Sequence, residues 1–221
     1  MNMPLYFRAG DDEPGYPGAP PAFGSVRPES SKIASTALWG FMGVATSLFF
    51  LFIASYLMRM QSADWHAIAM PRQLWLSTAF LVGASASMHR ASSAARNGRG
   101  KDVRKTLLAA GLFMIAFLFA QAWAWQVLLA GRVSIAGNPA GSYFYVLTAM
   151  HGLHVAGGLI AWLLAFRPLL RQDSNPVPTR SMSTVRLCER YWHFLLAVWL
   201  ALFATMSGLT NDVVRFVCYT T

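Results

Sequence analysis

Five histidines, His66, His89, His151, His154 and His193, are the side chains here best suited to chemistry. A neutral imidazole can ligate haem iron, copper or zinc, or relay a proton. His151 and His154 are three residues apart, so one helix face carries both. His151 falls about nine residues, or ~14 Å at the helical rise, from the outer end of its apolar run, which sets it near mid-membrane. A haem held between helices needs a second ligand at matching depth on a facing helix. His89 and His193 stand at the inner ends of their runs and cannot supply it. Carboxylate or thiolate company for copper or iron is also missing at that depth. The expectation is therefore no metal, no haem and no catalytic centre in this chain, with His151 and His154 hydrogen-bonding across helices to fix packing. Proton paths commonly use intramembrane carboxylates. The nearest acid, Glu189, sits at the inner edge of the last run, so transport by this chain alone is a lesser alternative.

Two further groups stand out. Ala149, Gly152 and Ala156, followed by Gly157 and Gly158, form a small-residue stripe suited to close helix packing. Arg190, Tyr191, Trp192 and His193 put aromatic and basic groups at the inner interface. They read equally as an aromatic-belt anchor or as a phospholipid site, with basic residues holding the phosphate and acyl chains in an interhelical groove.

These residues must be positioned by helices that cross a membrane. Of 221 residues, 55% are hydrophobic and only 12% charged, half the share of about 25% usual in soluble domains. A crossing needs about 20 apolar residues. Five runs qualify, near 34–58, 74–95, 106–129, 142–166 and 191–209, within a membrane domain over 33–210. Residues 1–32, rich in proline, glycine and acids, read as a polar tail without a signal peptide's order of basic then apolar residues, and 211–221 as a short outer tail. Lys and Arg set the sidedness. The N-terminal tail, the loop after the second run and the connection after the fourth hold fourteen; the opposite side holds Arg59, Arg72, Arg132 and Arg215. The fold class is thus all-α, a polytopic five-helix bundle with a cytoplasmic N-terminus and a periplasmic C-terminus. This placement accounts for the net charge of +9 without nucleic acid. It also puts Cys188 and Cys218 on opposite faces, where they cannot pair. No internal repeat or broken-helix pair of the transporter kind is evident.

The segment Gly141-Ser142-Tyr143-Phe144-Tyr145, running into His151-Gly152-Leu153-His154-Val155, resembles the signature helix of subunit III of haem-copper terminal oxidases. Tyr191-Trp192-His193-Phe194 with Val198-Trp199-Leu200 and Phe203 resembles that family's last helix, and Leu74-Trp75-Leu76-Ser77-Thr78-Ala79 agrees at the start of the second span. The likeness covers about residues 33–210 and implies the five-helix bacterial form.

It further implies an accessory subunit of the bacterial inner membrane, packed on subunit I in a complex that also holds subunit II. Haem and copper would belong to those partners, and this chain would bind phospholipid and support proton uptake in aerobic electron transport. Three carboxylates common in the family are missing: Thr46, Ala124 and Leu196 stand in their stretches. Their loss marks a divergent branch and leaves open a subunit III-like partner of a nitric oxide reductase.

Overall fold

A computed structural model describes residues 28–65, 71–131, 139–171 and 179–207. His66 and Cys218, and with the latter the expectation about the cysteine pair, lie outside the described residues. The described chain is all helical: α1 spans Pro28–Arg59, α2 Gln73–Arg96, α3 Gly100–Ala130, α4 Pro139–Arg171 and α5 Thr179–Met206. Pro28 and Pro139 open α1 and α4, where the fixed proline φ suits a first helical turn and the missing N–H costs nothing. The α2–α3 turn is closed by backbone geometry. Gly98 takes a left-handed φ of 68°, the Gly98 N–H donates to Ala95 O at 3.2 Å, and the Arg99 N–H donates to Ala94 O at 3.0 Å. That pairing is a Schellman cap, which satisfies carbonyls at the helix end and reverses the chain.

Helices α1, α3, α4 and α5 are long and apolar enough to cross a membrane, which makes this a multi-pass membrane protein. Helix α2 has 24 residues, about 36 Å at the helical rise, enough to span the hydrocarbon core. It falls short on hydropathy because Ser77, Ser85, Ser87, Ser92, Ser93, His89 and Arg90 interrupt its apolar residues. The tertiary structure offsets that deficit: Ser77, Ser85 and Ser92 are buried against other helices and not presented to lipid. Helix α4 continues through Pro168, so the apolar run that ends at Phe166 marks the edge of the hydrocarbon, not of the helix.

Helices α2, α3, α4 and α5 close a ring by packing each on the next, and α1 lies over the α4–α5 seam. Pairs of contacts fix the alternation of direction. Thr78 meets Trp199 while Ser85 meets His193, and Leu107 meets Trp162 while Thr148 meets Trp125. Leu81, Met114, Phe117, Leu147 and Trp199 fill the interior. Two glycines permit the closest approaches. A Cβ at Gly111 would overlap the Trp162 indole, and one at Gly158 would sit 3.0 Å from both Trp192 and Tyr191. Helix α1 buries only a narrow stripe at Ala45, Phe49 and Tyr56, leaving Trp39, Val44, Phe50 and Leu51 outward. That apolar exterior is stable only in lipid or against another apolar surface.

Candidate functional site

The mid-membrane histidines do not behave as the sequence suggests. His151 is fully buried, and neither ring nitrogen has a hydrogen-bond partner among the described residues. Its ring is enclosed by Trp199 at 5.1 Å, Phe117 at 5.7 Å and Phe49 at 6.3 Å between centroids. The expected cross-helix hydrogen bond is therefore corrected, because aromatic rings from α1, α3 and α5 occupy the positions a polar partner would need. His154 does bond, but within its own helix: Nδ1–H donates to Met150 O at 2.7 Å. Its ring packs on Phe49 and Phe41 of α1.

The hydrogen bonds that tie helices together come mainly from Trp and Tyr. Trp199 Nε1 donates to Thr78 Oγ1 at 2.9 Å, Trp162 Nε1 to Leu107 O at 3.0 Å, Trp125 Nε1 to Thr148 Oγ1 at 3.1 Å and Tyr191 Oη to His154 O at 3.0 Å. Ser55 and Tyr143 share a hydrogen bond of 2.6 Å between α1 and α4. Each ring combines a large apolar body with one polar tip, so it fills the interface and satisfies its donor together. Sequence reasoning singled out Tyr191 but missed Trp125 and Trp162, because an apolar run makes a tryptophan look like a lipid anchor.

The small-residue stripe is also redistributed. Ala149 is exposed, Ala156 is half-buried, and a Cβ at Gly152 would meet nothing within 4 Å. That part of α4 turns away from the other helices, and the tight contact within the chain is made at Gly158 instead. The family's carboxylate positions hold no acid: Thr46 bonds back to Met42 O at 2.7 Å, Ala124 is buried, and Leu196 is half-buried. Among the described residues Glu189 is the one helical acid beyond a first turn.

The group at Arg190, Tyr191, Trp192 and His193 separates in three directions. Trp192 is fully buried and packs over Gly158, so it is a core residue and not an interfacial anchor. Tyr191 faces a groove between the start of α1, the end of α4 and the start of α5, and Arg190 faces a hollow beside it. The floor of the groove, of about 360 Å³, is lined by Leu38, Phe41, Gly157, Ala161 and Tyr191 among others. A smaller polar hollow, with Ser35, Arg186 and Arg190, adjoins it through the shared residue Leu187.

His193 points the other way, to α2. There His89 Nδ1 donates to Glu189 Oε1 at 2.8 Å, and His193 Nε2 lies 3.7 Å from the same oxygen. Ser85 Oγ hydrogen-bonds His193 Nδ1. The sequence places His89, Glu189 and His193 near the inner ends of their apolar runs, and the fold brings them into one cluster with Ser85. The spacing offered a signal: Ser85 with His89, and Glu189 with His193, are i,i+4 pairs that share a helix face.

Residues 65–208 match the family model described as cytochrome c oxidase subunit III. Among curated relatives, a probable cytochrome c oxidase subunit 3 of Mycobacterium tuberculosis (strain ATCC 25618 / H37Rv) is 31% identical over 129 residues, 58% of this chain and 62% of the relative. The Nocardia farcinica (strain IFM 10152) counterpart is 33% identical over 129 residues, with the same coverage of 58% and 62%. A cytochrome c oxidase subunit 3 of Thermostichus vulcanus is 27% identical over 175 residues, 76% of this chain and 84% of the relative. The chain spans less than two thirds of the length of the mycobacterial and nocardial relatives it matches.

Proposed function

The chain belongs to the cytochrome c oxidase subunit III family, and from that premise we propose that it is the accessory, non-catalytic subunit of a respiratory haem-copper oxidase in a bacterial inner membrane. Haem and copper reside in subunit I and its neighbour subunit II, and this chain stabilises subunit I from the side. Its N-terminus and the basic loops face the cytoplasm, a sidedness that the Lys and Arg distribution supports.

The observation that carries this reading is the family match together with the groove between α1, α4 and α5. An apolar floor suits an acyl chain, and Arg186 and Arg190 at the mouth suit the phosphate of a phospholipid headgroup. Tyr191 lines the groove while its hydroxyl is held by His154 O, so its ring is fixed in place to form one wall. Arginines at this depth sit at the lipid headgroup level, where a charged phosphate remains solvated and the acyl carbons leave water. The aromatic packing around His151 leaves the bundle centre to structure. Support of proton uptake then comes from shielding the proton-uptake region of subunit I with a lipid-coated bundle, since Thr46, Ala124 and Leu196 hold no acid.

The test is a tagged chain expressed in its native membrane. The oxidase reading expects haem and copper proteins to co-purify with it and oxygen consumption by the purified complex. The complex carrying both Arg186→Ala and Arg190→Ala should retain less phosphorus after delipidation. Isolation of the chain free of any haem protein under mild detergent would overturn the accessory role. Equal phosphorus in variant and wild type would overturn the lipid site. Nitric oxide reduction in place of oxygen consumption would move the chain to a reductase complex.

A further inference from the structure

The cluster between the second half of α2 and the middle of α5 has the composition and geometry of a transition-metal site. His89, Glu189 and His193 each present one ligand atom, and those atoms lie within 4.8 Å of one another. Two imidazoles and one carboxylate are a ligand set of intermediate softness, suited to zinc or copper(II) and poorly suited to magnesium or calcium, which take oxygen ligands. Ligand atoms in a tetrahedral zinc site lie about 3.3 Å apart, given bonds of ~2.0–2.1 Å. The His89–Glu189 and His193–Glu189 separations of 2.8 Å and 3.7 Å fall on either side of that value. Small side-chain rotations therefore suffice to admit an ion.

The surroundings are organised for the purpose. Ser85 engages Nδ1 of His193, which turns Nε2 toward the carboxylate and orients the ring as an outer partner orients a metal-bound histidine. The two histidine rings face each other with centroids 6.1 Å apart, across the gap an ion would fill. Glu189 is 13% exposed, while His89 and His193 are 61% and 46% exposed, so the carboxylate sits at the bottom of an open mouth flanked by the two imidazoles. The ion pairs Glu189 makes among the described residues are with these imidazoles and not with an arginine. Arg90 and Arg190, chain neighbours of His89 and Glu189, line other hollows and turn away, as adjacent helix positions must.

We propose that His89, Glu189 and His193 bind one divalent ion of the zinc class from the aqueous phase, with Ser85 as a positioning residue and the fourth coordination position open to water. Binding displaces the proton that His89 Nδ1 shares with Glu189 and links α2 to α5 at this face. The site lies on the side of α5 opposite the lipid groove, and its existence does not depend on the oxidase reading.

The full-length chain, purified in detergent and stripped with chelator, is titrated with zinc ion against a chromophoric competitor. Cobalt substitution then reports coordination through its visible absorption. One equivalent of zinc should bind to wild type and be lost in the His89→Ala and His193→Ala variants. Ser85→Ala keeps all three ligands and should retain the stoichiometry with roughly 10-fold weaker affinity, the usual effect of removing an outer-shell partner. Helix content by circular dichroism verifies that each variant is folded. Absence of stoichiometric zinc binding by wild type overturns the site, as does undiminished binding in folded His89→Ala and His193→Ala.

Discussion

Two histidine environments within this bundle make opposite use of one side chain. At mid-membrane, His151 is enclosed by Phe49, Phe117 and Trp199 and has no hydrogen-bond partner among the described residues. Toward one rim of the bundle, His89 and His193 converge on Glu189 with 61% and 46% of their side chains exposed. Depth explains the contrast. In the interior, an unpaired polar group carries a desolvation cost, and the aromatic rings around His151 leave that cost in place. Toward the rim, the more exposed imidazoles meet a carboxylate instead. The two places thus differ in what faces the imidazole, apolar rings at one and an ion-pair partner at the other.

The strongest way to break that comparison is to charge both places. His151→Glu should destabilise the bundle by about 3 kcal/mol, the cost of an ionisable group at mid-membrane. His89→Lys should cost less than about 1 kcal/mol, because the partly exposed cation keeps Glu189 as its partner. Thermal unfolding in detergent, followed by size-exclusion chromatography, measures both. Equal losses would show that the two sites are equally wet. His151→Leu sharpens the point, because it removes two unpartnered polar atoms at similar volume; stability should hold or rise. A clear loss would reveal a polar partner for the imidazole.

A smaller effect is expected at the walls of the sealed region. Gly111→Ala forces a methyl group into the Trp162 indole and should cost about 2 kcal/mol, the usual size of overpacking. The same change at Gly152 meets open space and should leave stability within about 0.5 kcal/mol. The ratio of the two melting shifts checks which part of α4 packs inside the chain. Trp199→Phe keeps an aromatic ring beside His151 but deletes the donor to Thr78 and part of the buried indole volume. It should cost more than about 0.6 kcal/mol, the mean for intramembrane hydrogen bonds, because a cavity term adds to it. Thr78 Oγ1 still donates to Leu74 O at 2.7 Å, so no hydroxyl is stranded.

The sequence by itself determined the class of molecule. Apolar runs too long for a soluble core, with Lys and Arg gathered in alternate connections, leave a helical membrane bundle as the solution that satisfies the backbone in lipid. The motif around His151 and His154 and the one around Trp192 and His193 indicated the family for the same local reason, since both lie within single helices.

Only the tertiary structure decided what those residues touch. Whether His151 meets a polar or an aromatic neighbour depends on the rotation of α4 against α1, α3 and α5. Whether Glu189 reaches His89 depends on the register of α2 against α5, two helices 100 positions apart in the chain at that contact. Rotation and register are set by the summed packing of many side chains, at Gly111, Gly158 and Trp162 among others. No local spacing encodes that sum, so the helices could be read from the sequence and the clusters between them could not.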